Sequence, residues 1–361
     1  MHNRGPLVAG TIGGWALLGF GSVLAGLLGQ GTGLPAGWLV GPMLVALVLA
    51  LAWPRPLKLP RWTRLVSSAI IGSVLASAFR PSVLPLIANN WFPISLVVGS
   101  TLLLSLAVGL LLTRFARLSE KTAVLGVLPG AASGMLAMSD SLGADPRLVA
   151  LMQYTRVIVV VVSATLVSRF WLASDAATYL PPNQSLQATT SQGTALVQDV
   201  WLTYVLTALT AALGAWAGTR LRLPAGTMLG ALIVGIGLEE SGTLHLAWPP
   251  GVQQAGYLML GVYVGLLFDR ASVQRAGRIF PYVLASAVGL VAVCAGLGWM
   301  LSALTPIDEL TAYLATSPGG MDSVAIMALG SGADAPVVLA VQMMRLLVVV
   351  LAGALIGRWS S

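Results

Sequence analysis

Charge is scarce in this chain. Only 9% of its 361 residues are Asp, Glu, Lys or Arg, against about 25% in an ordinary soluble domain. So few charges cannot cover a globule of this size with a polar surface, which excludes a soluble protein. Cysteine is scarcer still. Cys294 stands alone, so no disulfide forms within the chain, and in its apolar run it reads as a small buried hydrophobe. The two histidines, His2 and His245, and the scattered carboxylates make no cluster with metal-ligand spacing. No transition-metal site, no cofactor and no enzyme centre is expected. Also missing is a basic polar segment interleaved with aromatics, and with it a nucleic-acid partner.

What fills the chain instead is apolar: 57% of it is hydrophobic. Many apolar runs reach roughly 20 residues, enough to span a bilayer of about 30 Å. These runs predict a polytopic membrane protein, with lipid as its first partner. The net charge of +7 then reads as Lys and Arg gathered on cytoplasmic loops. The first run, 7–28, reads as a retained helix rather than a signal peptide. Its small residues, Gly10 and Gly14, then Ser22 and Gly26, suit close helix packing.

One stretch occurs twice, at a constant offset of 189 residues. Pro129 matches Pro318, Gly130 matches Gly319, Gly143 matches Gly332 and Asp145 matches Asp334. Gln153 and Arg156 match Gln342 and Arg345. The helix starts Leu34-Pro35-Ala36-Gly37 and Leu223-Pro224-Ala225-Gly226 keep the same offset, as do Gly72 with Gly261 and Phe79 with Phe268. The repeat divides the chain into a first membrane unit, 1–172, a polar linker, 173–199, and a second unit, 200–361. Each unit holds six apolar segments: 7–28, 35–53, 65–79, 91–112, 122–142 and 145–170, then 200–217, 224–237, 252–268, 281–304, 310–330 and 334–356. The fifth of each is broken at its Pro-Gly pair, because proline cannot donate to a helix and glycine is a weak helix former.

Loop charges decide how the segments cross. With the N-terminus inside, the loops carrying Arg55, Lys58, Arg61 and Arg64, then Arg114, Arg117 and Lys121, are cytoplasmic, as the positive-inside rule asks. If all six segments crossed, Arg220, Arg222, Arg275 and Arg278 would fall outside, and Glu239, Glu240, Asp308 and Glu309 inside. Letting the broken segment enter and return on one side reverses both errors. It also places Arg270 and Arg358 and both termini in the cytoplasm. Each unit then makes five crossings, and consecutive odd-numbered units are inverted. The expected fold is therefore all-α: two inverted-topology repeats, each of about five transmembrane helices plus one broken, re-entrant element. Inverted repeats with broken helices near mid-membrane are a secondary-transporter architecture.

The candidate site follows from the same stretch. Arg156 lies nine residues after Arg147, about 13 Å along a helix and so near mid-depth. A central arginine costs at least about 2.5 kcal/mol and needs a partner. The choice is between an anion-binding or gating arginine and a structural one, bonded to carbonyls that the opposite break frees or snorkelling to water. Gln153 and Gln342, one turn earlier, are ligands or arginine holders. The re-entrant tips, Pro129, Gly130 and Ser133, then Pro318, Gly319 and Gly320, complete the expected substrate-binding set. Asp322 stands where the first copy has Ser133. With both arginines reaching toward the tips, it is expected between them, as an ion-coupling or proton-coupling group, a salt-bridge partner, or both. Asp145 and Asp334 read as helix N-caps, and Asp140 as a solvated helix end.

The doubled Pro-Gly, Gly-Ala-Asp and Gln-x-x-Arg pattern, with the doubled Leu-Pro-Ala-Gly starts, resembles the AbrB family of bacterial membrane proteins over most of the chain. That family is unrelated to the small soluble DNA-binding regulator of the same name. The resemblance implies a bacterial inner membrane protein, and its labels include regulator of gene expression and ammonia monooxygenase. The residues favour transport of a small anionic organic solute by alternating access. A membrane sensor that alters expression indirectly is the alternative. Homo-oligomerisation stays open.

Overall fold

The computed structural model describes residues 5–34, 36–53, 57–79, 81–129, 139, 143–174, 200–221, 223, 225–268 and 277–359. Gly130, Ser133 and Asp140, the linker from 175 to 199, and Pro35, Arg55, Arg222, Pro224, Arg270 and Arg275 lie outside the described residues. Among those described there are fourteen helices and no strand.

The first half contains α1 (Gly5–Gly31), α2 (Gly37–Ala52), α3 (Arg61–Ser77), α4 (Val83–Asn89), α5 (Trp91–Phe115), α6 (Glu120–Val127) and α7 (Pro146–Ser174). The second contains α8 (Val200–Arg220), α9 (Gly226–Glu240), α10 (Val252–Gly265), α11 (Phe280–Leu304), α12 (Glu309–Thr316), α13 (Met321–Ser331) and α14 (Ala335–Trp359). Five of these, α1, α5, α7, α8 and α11, are long and apolar enough to cross a membrane. Their flanks expose large apolar side chains, such as Phe20 at 74% and Trp201 at 74%. Exposure on that scale suits a lipid surround. The short helix α4 lies between the apolar segments of the sequence: at seven residues it is below the length at which periodicity speaks.

The sequence repeat persists in three dimensions. Helices α5 and α11 start and stop at positions 189 apart, and so do α6 and α12. Ala36 and Ala225, which precede α2 and α9, both adopt left-handed backbone at φ 52 and φ 51. The halves pack reciprocally: α2 lies on α10 while α9 lies on α3, and α5 lies on α14 while α11 lies on α7. Matched glycines set the first crossing. A Cβ on Gly72 would meet the Met228 carbonyl, and one on Gly261 would meet that of Leu39. Only a residue without a Cβ lets these backbones approach so closely.

The second broken segment is a hairpin, and the described ends of the first meet in the same way. The Asp334 N–H donates to Thr311 Oγ1 at 2.8 Å, and the Asp145 N–H donates to Thr122 Oγ1 at 3.0 Å. Each segment therefore ends beside the place where it began. In the second half, α12 runs in, the chain breaks at Ser317–Gly320, and α13 runs back to Gly332, whose φ of 78 closes the helix. Asp145 and Asp334 then cap α7 and α14: Oδ1 of Asp145 accepts from the Arg147 N–H at 2.9 Å, and that of Asp334 from the Val337 N–H at 3.2 Å.

Candidate functional site: an arginine pair at two helix breaks

A helix that stops inside apolar surroundings leaves its last carbonyls without partners. The Gln-x-x-Arg pairs supply them. Gln153 Nε2 donates to the carbonyls of Leu125 at 2.8 Å and Leu128 at 3.1 Å. Arg156 Nη1 donates to the Val127 carbonyl at 2.7 Å, and Nη2 to Gln153 Oε1 at 2.7 Å. The second half repeats this. Gln342 Nε2 donates to the carbonyls of Leu314 and Ser317 at 3.1 and 3.3 Å. Arg345 donates to those of Ser317 at 2.7 Å and Gly319 at 3.3 Å, and to Gln342 Oε1 at 2.8 Å.

Both arginines are buried, at 3% and 5% exposure. Their positive heads sit at the C-terminal ends of α6 and α12, where the helix dipole is negative. The carbonyls they cap belong to the break of their own half, not of the opposite one. The physical reason is the hairpin: α12 begins beside α14, so one side chain of α14 reaches the end of α12 without crossing the molecule. The capping does not exhaust the donors. A guanidinium has five N–H groups, and Arg156 Nε is buried with no partner among the described residues.

The two capped breaks converge on one cavity of about 90 Å³. From the first half, Pro129, Gln153 and Arg156 line it. From the second come Gly319, Gly320, Asp322, Gln342 and Arg345. Pro318 is buried at the break but does not reach the lining. The N-terminal turn of α13 also faces this space, through Met321 and Ser323, and adds the positive end of a helix dipole.

Asp322 is in the cavity but not between the two arginines. Its Oδ2 accepts from Ser68 Oγ at 3.3 Å, and the guanidinium acting on it is that of Arg64. Arg156 and Arg345 are turned to their carbonyls, while α13 leans on α3. Arg64 therefore joins the cavity lining, together with Tyr154 and Tyr263, and Ser68 supports Asp322 from behind it. A third segment starting at 65 puts Arg64 in a basic loop, whereas the helix starts earlier. With α3 starting at Arg61, Arg64 and Ser68 stand one turn apart on one helix face, and that spacing was readable.

The family model described as "Transition state regulatory protein AbrB" matches residues 8–361. The chain is 37% identical over 347 residues to an Escherichia coli (strain K12) protein named "Putative regulator AbrB", covering 96% of each. It is 29% identical over 350 residues to "Uncharacterized protein YhjN" of Bacillus subtilis (strain 168), covering 91% of this chain and 88% of that one. The chain belongs to the AbrB family.

Proposed function

We propose that this AbrB-family chain is a secondary-transporter-like protein of the bacterial inner membrane that moves a small anionic organic solute by alternating access. One observation carries the reading: two repeat-related buried arginines meet in a single cavity between two helix breaks. Charge buried in apolar surroundings is expensive, and an anion entering the cavity offsets it. Unspent guanidinium donors and the N-terminus of α13 give that anion something to bond.

The hairpins support the crossing pattern. A segment that returns to its start does not cross, which leaves five crossings per half and makes the halves inverted. Both termini are then cytoplasmic. Asp322 is the group to couple an ion or a proton to the solute, since it is the carboxylate lining the cavity among the described residues. Asp322→Asn is expected to abolish pH dependence of transport while leaving exchange of solute down its gradient. Unchanged pH dependence would reduce Asp322 to a structural partner of α3.

The test is flux of radiolabelled small carboxylates into proteoliposomes, for the native chain and for Arg156→Lys with Arg345→Lys, which keeps both charges but not the planar forks. Uptake that the double variant abolishes supports the reading. Uptake that survives it moves the site elsewhere. A second reading, a membrane sensor that alters expression indirectly, is favoured by the name of the Escherichia coli relative. Expression changes that persist without Arg156 and Asp322 would point to it.

A further inference from the structure

A second cleft lies apart from the arginine cavity, between the long spans α5 and α11. It runs from Leu104 to Phe115 on α5 and from Tyr282 to Val293 on α11, with a volume of about 340 Å³. Small residues on α11 give it depth: Ala285, Ser286 and Gly289 line it, and a Cβ on Gly289 would meet nothing within 4 Å. At the 189-residue offset the first half has Leu96, Val97 and Ser100 instead. Ser286 donates its hydroxyl to the Val283 carbonyl of its own helix at 2.7 Å. The wall therefore offers a polar solute little to bond and suits a hydrocarbon.

Length, width and charge identify the occupant. The stretch of each helix along the cleft rises about 16 Å, half of a hydrocarbon core of roughly 30 Å, so the cleft is one leaflet deep. Its volume holds roughly eleven methylene-sized groups at about 30 Å³ each. Spread over that length they stand in single file, as in one extended alkyl chain. A helix from a second copy, about 10 Å across, is too wide. Cations stand at one end only. Arg114 precedes Phe115 in the last turn of α5, and Arg278 lies four residues before Tyr282. Both are exposed, and neither has an ion-pair partner among the described residues. Their counterparts at the 189-residue offset, Ala303 and Asn89, are neutral. On the crossing pattern proposed above, the charged end is cytoplasmic, where anionic headgroups attract Lys and Arg. Phe115 and Tyr282 are exposed at this end, as aromatic side chains are at headgroup level. We propose that α5 and α11 form a binding site for one anionic phospholipid, with an acyl chain in the cleft and the phosphate on Arg114 and Arg278.

The experiment uses purified full-length protein in detergent and two lipids with the same chains, dioleoyl phosphatidylglycerol and zwitterionic dioleoyl phosphatidylethanolamine. Retention is read by native mass spectrometry and stability by thermal unfolding. The native chain is expected to retain the anionic lipid about tenfold more strongly, the scale of two basic side chains near a headgroup. That lipid should also raise the unfolding temperature, because it binds the folded state, whereas inorganic phosphate should not. Arg114→Gln with Arg278→Gln should bring the retention ratio near one. Gly289→Leu fills the cleft and should cut retention about tenfold. Gly296→Leu is its control: a Cβ there also meets open space, but outside the cleft, and retention should stay unchanged. Equal retention of the two lipids by the native chain overturns the proposal, as does a preference that survives the double glutamine variant. Retention untouched by Gly289→Leu overturns it too, and so does a phosphate shift equal to that of the lipid. If light scattering shows that Gly289→Leu turns a dimer into a monomer, the cleft is an interface between copies and the lipid site is refuted. None of these readouts depends on which side of the membrane the cations face, so the site and the crossing pattern fail separately.

Discussion

Arg156 and Arg345 do two things at once. They finish the C-terminal ends of interrupted helices, and they bring positive charge to the cavity. The first role makes them hard to replace. Arg345→Ala orphans the carbonyls of Ser317 and Gly319 and Oε1 of Gln342. Each buried group left without a partner costs about 1–3 kcal/mol, so thermal unfolding in detergent should show a severe loss. Arg156→Lys is the sharper probe. An ammonium keeps the charge but lacks the planar fork that bonds Val127 and Gln153 from separate nitrogens. Fold and expression should survive while ligand binding falls, because the fork is what grips a carboxylate. A lysine variant that binds as well as the native chain would leave the arginine a purely structural role. The sequence told much of this. The cost of a mid-membrane arginine announced that it had a partner, and Gln153 one turn away suggested a holder. It could not show which break the guanidinium meets, because that depends on how α14 lies beside α12. Nor did it reveal Arg64, whose placement turned on a helix start that differs by four residues.

At the scale of elements, the hairpins are held by two threonines. Thr311 accepts from the N–H that starts α14, and Thr122 does the same for α7. Thr311→Val is nearly isosteric yet leaves that N–H without its acceptor. A loss of about 1–3 kcal/mol is expected, with faster amide hydrogen exchange at Asp334, and the same from Thr122→Val at Asp145. If exchange at these amides is unchanged, water replaces the hydroxyl and the clamp is not needed. The crossings of α3 on α9 and α10 on α2 respond to size instead. Gly72→Val drives a side chain into the Met228 carbonyl and Ala231. Overpacking of this kind costs about 1–3 kcal/mol, and a melting curve of the variant reads it. These helices were legible as apolar runs and their glycines as a repeated pair. Their tight crossing was not, since a small residue in a membrane helix marks a close contact without naming its partner.

At the scale of the whole molecule, the question is which way each half faces the membrane, and the proposed crossing pattern turns on parity. Reciprocal packing of α2 with α10 and of α9 with α3 relates the halves by a two-fold exchange, but that exchange is compatible with an axis along the membrane normal or within its plane. The number of crossings decides between them. With both broken segments returning to their starting side, each half crosses an odd number of times, so the second half begins on the side opposite to the first. On that proposed pattern the axis lies in the membrane plane, as in transporters whose halves exchange roles between outward and inward states. The proposed topology puts the loop between the halves outside and both termini in the cytoplasm. Cysteine-accessibility labelling tests this once Cys294, the one native cysteine, is replaced by serine. A cysteine at Ser185 should react with a membrane-impermeant thiol reagent applied from outside intact spheroplasts. One at Arg117 should react only after the membrane is opened. Labelling of the Ser185 position from the cytoplasmic side alone would give each half an even number of crossings, and the halves would then face the same way. The arginine pair would still meet at its cavity, but the symmetry argument for alternating access would be lost.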